Sequence, residues 1–242
     1  MNVASASRVE PAAGRAAESA SPILVWDLPV RVFHWLAVLC FAGAWITAES
    51  ERWRLLHVTL GYTLAGLVVF RLLWGLLGTR HARFASFVRG PAAVGRYLRA
   101  MVAGTPEHHT GHNPAGGWAI LALLALPLAI VATGHAIYND IGGEWLEEAH
   151  EAIASGMLAL VGLHVAAVVA SSLLHGENLA RAMVTGRKQG LPQDGVRSAW
   201  RSVALIMVVA VAAFWWLQWQ SAPTAAGSTA RPAAMATDHD DD

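Results

Sequence analysis

Apolar residues in this chain are gathered into long blocks separated by polar, arginine-bearing stretches. A block near 20 residues is enough to cross the hydrocarbon core of a bilayer as a helix. Five such spans are predicted, running from about Val30 to Ala48, Leu56 to Leu77, Gly117 to Tyr138, Ala149 to Leu174 and Val203 to Trp219. Within lipid every backbone polar group must find its partner inside the protein, so these blocks read as helices. The expected fold is an all-α integral membrane protein, a four-helix transmembrane bundle with a fifth, peripheral C-terminal transmembrane helix.

The flanks behave differently. Residues 1–22 are mostly Ala, Ser and Glu with two Arg, and lack the apolar stretch of a secretory signal, so they read as a disordered leader before an uncleaved first span. The core domain is expected over 23–190, a linker with the fifth helix over 191–220, and an acidic tail over 221–242.

Composition supports the membrane reading. Charged residues are 14% of the chain against 55% hydrophobic, well below the roughly 25% charged of soluble proteins. The net charge is zero, so it points to no partner. One cysteine, Cys40, excludes an internal disulfide or a thiolate metal cluster. No nucleophile–base arrangement or phosphate loop appears, which leaves hydrolase and kinase chemistry without support.

Charge distribution sets an orientation. Arg8, Arg15 and Arg31 flank the first span. Arg80, Arg83, Arg89, Arg96 and Arg99 lie between the second and third spans, and Arg181, Arg187, Lys188, Arg197 and Arg201 between the fourth and fifth. The positive-inside rule puts these segments in the cytoplasm. The opposite side carries Asp140, Glu144, Glu147 and Glu148 and the tail Asp238–His239–Asp240–Asp241–Asp242. The expectation is a multi-pass protein of a bacterial inner membrane, N-terminus cytoplasmic and C-terminus periplasmic. Trp26, Trp53, Trp118, Trp145, Trp200 and Trp219 are expected at the interfaces.

Ionisable residues inside spans are costly and mark function. Four histidines stand out: His34, His57, His150 and His164. Haem b is often held by axial imidazoles, and two haems need four of them on facing helices. His150 and His164 are 14 residues apart on one span. That spacing returns to within about 40° of the same face, about 21 Å further along the helix. Depth then pairs His34 with His164 and His57 with His150. Small residues one turn on (Ala37, Gly61 and Ala154) permit a flat ring to approach, though they also serve ordinary helix packing. No CxxCH motif is present, which excludes c-type attachment.

Several stretches together resemble bacterial cytochrome b561-like proteins, including the b-type subunits of nickel–iron hydrogenases. They are WDLPVRVFHW at 26–35, LHVTLGY at 56–62, FRLLWGLLG at 70–78, GHNPAGGW at 111–118, the His150/His164 pair and GENLARAMVTGRK at 176–188. The resemblance covers roughly residues 24–190. It implies two haem b held at His34, His57, His150 and His164, and electron exchange with quinone and a partner redox protein, cytochrome c-like or hydrogenase-type. Quinone is expected near the cytoplasmic haem, beside His34 and His164. The fifth span and acidic tail extend beyond the four-helix core. Two other functions stay open: a self-contained quinol:superoxide oxidoreductase, and a proton or metal transporter using the intramembrane histidines. The two separate depths argue against the transporter, whose ligands converge at one depth.

Other residues carry open readings. Arg31 and Arg71, near cytoplasmic span ends, pair either with a haem propionate or with lipid phosphate. His135 is a rival outer ligand. His175 is a helix-end cap or a propionate or quinone contact. His108, His109 and His112 read as a solvated loop, with metal binding the alternative. The acidic segment around Asp140, Glu144, Glu147, Glu148 and Glu151 is either a docking face for a basic cytochrome c-like partner or an ordinary solvated loop.

Overall fold

The computed structural model describes residues 21–105 and 111–221. In chain order these residues form strand β1 (Ser21–Leu24), helices α1 (Leu28–Thr47), α2 (Arg54–Leu77), α3 (Phe84–Phe87), α4 (Pro91–Val102), α5 (Pro114–Tyr138), α6 (Glu144–His175) and α7 (Leu179–Thr185), strand β2 (Arg187–Gly190) and helix α8 (Arg201–Gln220). Five helices, α1, α2, α5, α6 and α8, are long and apolar enough to cross a membrane. They fall where the five apolar blocks place them. Large apolar side chains along them, including Ile46, Leu77, Leu163, Leu173 and Leu217, point outward. Lipid solvates such a surface as well as a protein core would.

Helix ends are written locally. Asp27 caps α1, its side chain accepting the Val30 N–H at 2.9 Å, with Pro29 in the first turn. Asn113 does the same for α5, accepting from Gly116 at 2.7 Å ahead of Pro114. Glu144 and Glu147 occupy the first turn of α6, where the helix dipole favours negative charge. At its other end Gly176 takes the left-handed conformation that closes the helix.

Backbone packing runs from α1 to α2, from α2 to α5 and from α5 to α6, while α8 returns along α1 and α2. Cys40, Leu60, Leu64, Leu67 and Met207 form the core shared by α1, α2 and α8. The Trp215 indole donates to Thr63 Oγ1 at 2.8 Å and ties α8 to the middle of α2. The fifth helix therefore lies on the outside of the α1–α2 pair. α6 follows α5 but is not packed along α1 or α2; it meets them through side chains, His57 to His150 among them.

The two ends of the spans differ. Call the end with residues 21–28, 78–105, 111–113 and 176–201 the basic end, and the end with residues 48–53 and 139–143 the acidic end. At the basic end β1 pairs antiparallel with β2, Ser21 opposite Gly190 and Leu24 opposite Arg187. Val25 and Trp26 both donate backbone N–H to Gly186 O, and Leu28 to Ala199 O. Ile23, Val25, Trp26 and Ala182 close a small core beneath this clasp. Ser21 and Pro22, at the end of the expected leader, thus belong to a strand, and Trp26 is 7% exposed, packed under the clasp instead of facing the interface. Trp53, Trp118, Trp145, Trp200 and Trp219 are exposed. The rest of the leader and the tail beyond 221 lie outside the described residues.

Asp27 organises this end. Besides capping α1, its carboxylate accepts from the Trp74 indole at 3.0 Å and from Thr79 Oγ1 at 2.6 Å, and Arg71 is its electrostatic partner. Asp27 is 1% and Arg71 3% exposed. A carboxylate sealed this deeply is tolerable only while its hydrogen bonds are made, and each buried donor left unsatisfied costs about 1–3 kcal/mol. Both Asp27→Ala and Asp27→Asn remove the charge, but Ala deletes every acceptor whereas the single Oδ1 of Asn still accepts from part of the set, so Asp27→Ala is expected to lower the thermal unfolding midpoint of the detergent-solubilised protein more than Asp27→Asn. Equal melting of the two variants would show that the hydrogen bonds contribute little here.

Candidate haem-binding site

The four intramembrane histidines come from three helices. α1 carries His34, α2 carries His57, and α6 carries both His150 and His164. All four are half-buried. His57 and His150 face each other across the bundle with ring centres 6.3 Å apart. Each is oriented through Nδ1. His57 Nδ1 lies 2.9 Å from Ala44 O, a carbonyl of α1. His150 Nδ1 lies 2.9 Å from Thr133 Oγ1, whose own hydroxyl is directed at the Ala129 and Ile130 carbonyls. With Nδ1–H donated in this way, each ring presents Nε2 as an unprotonated acceptor, the form that binds metal. Gly134 allows the approach: a Cβ there would stand 3.0 Å from the His150 ring. On α2, a Cβ at Gly61, one turn after His57, would meet nothing within 4 Å.

This geometry can be compared with a bis-imidazole haem. Two metal–nitrogen bonds of about 2 Å each, with half a ring at either end, span about 6 Å. Rings at the His57–His150 separation fit that length. The second pair lies towards the basic end. His34 stands edge-on to Trp35 at 5.0 Å, and its Nδ1 is buried without a hydrogen-bond partner. His34 and His164 are within electrostatic reach of each other. A buried polar atom left unpaired is the exception in folded proteins, and it fits a ring whose neighbour is a bound group.

The basic end also gathers aromatic and imidazole side chains from segments whose sequence is loop-like. His112, expected in a solvated loop, packs against Trp26 at 4.5 Å and Phe87 at 4.6 Å between ring centres. The Asn113 cap and Pro114 pin it at the very start of α5, which is the signal that distinguishes it from His108 and His109, both outside the described residues. Burial pushes the His112 pKa down to about 3, reinforced by Arg71, His81, Lys188 and His164. Tyr97 of α4 is buried and hydrogen-bonded to Ser171 of α6, strapping α4 across this end. Among the described residues no group of three or more His, Cys, Asp or Glu is placed to hold a metal ion.

The remaining candidates separate. Arg71 is buried with its guanidinium over the Phe84 ring at 5.1 Å, and its Nη1 is unpartnered. Arg31 donates through Nη1 to Val184 O, towards α7, and its Nε is buried without a partner. His135 is exposed, with Nδ1 2.7 Å from the Tyr62 hydroxyl, and Asn139 closes on the same atom at 3.3 Å. His175 Nδ1 lies 2.9 Å from Ser171 O, in the last turn of α6, as a helix-end cap does.

A multi-span helical bundle that faces imidazoles of different helices across its interior has the architecture of a membrane b-type cytochrome. The model of the prokaryotic cytochrome b561 family matches residues 25–186, and the chain belongs to that family. It is a multi-pass, haem b-binding electron-transport protein. A probable Ni/Fe-hydrogenase B-type cytochrome subunit of Rhizobium leguminosarum bv. viciae is 23% identical over 222 residues, covering 72% of this chain and 92% of that protein. The probable Ni/Fe-hydrogenase 1 B-type cytochrome subunit of Escherichia coli (strain K12) is 26% identical over 141 residues, 48% of this chain and 60% of that one. A probable Ni/Fe-hydrogenase B-type cytochrome subunit of Cupriavidus necator is 23% identical over 231 residues, 76% and 94% respectively. No solved structure matches the chain.

His112 has a pH consequence. Its folded pKa lies below the unfolded value of about 6.5, so it is neutral when folded at pH values where the unfolded chain takes up a proton. Stability from this group is full above pH 6.5 and is lost as pH falls towards about 3, with a slope of at most about 1.4 kcal/mol per pH unit. His112→Phe, which keeps the aromatic packing, is expected to flatten the acid limb of an unfolding-midpoint-versus-pH curve. An unchanged limb would remove His112 as its source.

Proposed function

We propose that the chain holds two haem b groups and passes electrons between the quinone pool and a partner redox protein. His57 and His150 would hold the haem nearer the acidic end, and His34 and His164 the haem nearer the basic end. When bound, the haem supplies one-electron redox chemistry; the chain supplies ligation, spacing and exclusion of water. The observation that carries the reading is the His57–His150 pair, 6.3 Å apart with both Nδ1 atoms already engaged. Fixing Nδ1 sets each ring's tautomer and plane before any ligand arrives, which is how outer partners tune a metal-binding imidazole.

Arg71 is the better placed of the two arginines for a propionate at the basic end, since its unpartnered Nη1 is buried and its field reaches His112, as does that of His164. Quinone reacts at this same end, beside His34 and His164. The basic end faces the cytoplasm of a bacterial inner membrane, on the distribution of arginine near span ends. The partner, by the printed names of the relatives, is a hydrogenase-type complex.

Pyridine haemochrome analysis of the purified protein tests this directly, with about two haem b per chain expected. His57→Ala and His150→Ala should each lower the count to about one, and His34→Ala with His164→Ala should together remove the other. Thr133→Val deletes only the hydroxyl that holds His150; loss of such an outer partner weakens metal retention about 10–100-fold, so it should release the same haem as His150→Ala on dilution. A full complement of haem in His57→Ala would overturn the pairing.

A further inference from the structure

We propose that a cavity at the basic end, walled by α1, β2 and the start of α8, binds the phosphate headgroup of an anionic phospholipid. The cavity measures about 820 Å³, and four arginines line it: Arg31 from α1, Arg187 from β2, and Arg197 and Arg201 at the entry to α8. No carboxylate lines it, and among the described residues Arg187, Arg197 and Arg201 make no ion pair. The nearest acid acting on Arg31 is Asp27, whose oxygens already serve Val30, Trp74 and Thr79.

Basic residues near span ends need no explanation beyond topology, but topology requires only that they lie on one side. It does not require residues as distant in sequence as Arg31 and Arg201 to converge on one concavity. Four like charges around a shared space repel, and an anion seated between them removes that cost. Arginine matches phosphate in particular, because its planar fork donates two parallel N–H groups. The entry to α8 adds donors. Trp200 precedes the helix in a left-handed conformation and provides no side-chain cap, and Ser198 and Ser202 line the same wall. Amides of a helix's first turn are natural anion partners.

The apolar lining selects a lipid over a soluble phosphate. Leu24, Leu28 and Trp200 share the cavity with the arginines. α1 and α8, both spans, begin at its wall, so a headgroup here leads its acyl chains onto the outward-facing apolar surface of those helices. Basic pockets between transmembrane helices bind anionic headgroups in this way. The site lies beyond the haem assignment and does not depend on it.

Native mass spectrometry of the delipidated, haem-loaded full chain in detergent tests the proposal, with phosphatidylglycerol as probe and phosphatidylcholine for comparison. Each arginine beside an anionic lipid contributes about fivefold in affinity. The double variant Arg197→Gln/Arg201→Gln is therefore expected to bind phosphatidylglycerol about 25-fold more weakly, with phosphatidylcholine binding and the haem spectrum unchanged. Arg96→Gln/Arg99→Gln removes the same charge from α4, outside the cavity, and should leave affinity near that of the parent. Ser198→Asp, which puts a carboxylate into the cavity while keeping both arginines, should weaken binding in the same direction and serves if the double variant does not fold. Equal losses in the two arginine pairs would reduce the effect to surface charge and overturn the site, as would an unaffected Arg197→Gln/Arg201→Gln. Displacement of the lipid by inorganic phosphate at matched concentration would make it a soluble-anion site and overturn the lipid assignment.

Discussion

The carboxylate of Asp27 is sealed from solvent and meets three donors from two directions: the first turn of its own helix, and the Trp74–Thr79 stretch at the end of α2. A charge so placed is tolerable only when its hydrogen bonds and counter-charge are complete, so the start of α1 and the end of α2 are held in one relative position. Arg71, the counter-charge, lies two turns up α2 and is itself held over Phe84 of α3. α3 in turn lies against α5, with the Phe87 carbonyl so close to Gly117 that a Cβ there would stand 2.9 Å away. From one buried acid the register of α1, α2 and α5 at this end follows, and with it the depth at which His34 enters the bundle.

Among the described residues the opposite end has no such hub. Its precision comes from the imidazoles themselves, each bound to an oxygen of the neighbouring helix: His57 of α2 to Ala44 of α1, and His150 of α6 to Thr133 of α5. The helix pairs α1–α2 and α5–α6 are thereby each closed internally by a histidine, and the same two rings then confront each other between the pairs. One hydrogen bond per ring therefore both binds a helix pair and leaves Nε2 as the free ring nitrogen between the pairs. In lipid, where apolar surface gives no drive to helix association, small residues such as Gly134 and polar side chains such as Thr133 hold the bundle together.

The five spans were legible because length and unbroken apolarity are a one-dimensional signal, and α6 carries both His150 and His164 on one unbroken helix as that signal requires. What escaped reading was structure at the basic end built by contacts distant in sequence. Trp26 looks like an interfacial tryptophan until β1 pairs with β2, more than 160 residues later, and covers it. His112 sits in a stretch of polar and small residues that reads as loop; the approach of Trp26 and Phe87 leaves it half-buried. Thr133 gave no sign at all, since a threonine in an apolar span ordinarily returns its hydroxyl to its own helix, and this one does so while also accepting from His150. Arg31 and Arg71 carried identical alternatives in sequence, and only the fold separates them.

That separation bears on how one end of the bundle handles negative charge. Arg71 is buried beneath α3 with Asp27 to balance it, and its spare nitrogen faces a closed interior. Arg31 lies between α1 and α7 and opens on a cavity that holds three further arginines and no acid. The fold thus offers an anion two different settings, one buried arginine beside Asp27 and one peripheral cluster whose cavity no carboxylate lines. Coulomb attraction is screened little in the first setting and strongly in the second. The interior arginine is thus suited to tune a fixed group, whereas the peripheral cluster needs several charges acting together to retain an exchangeable one.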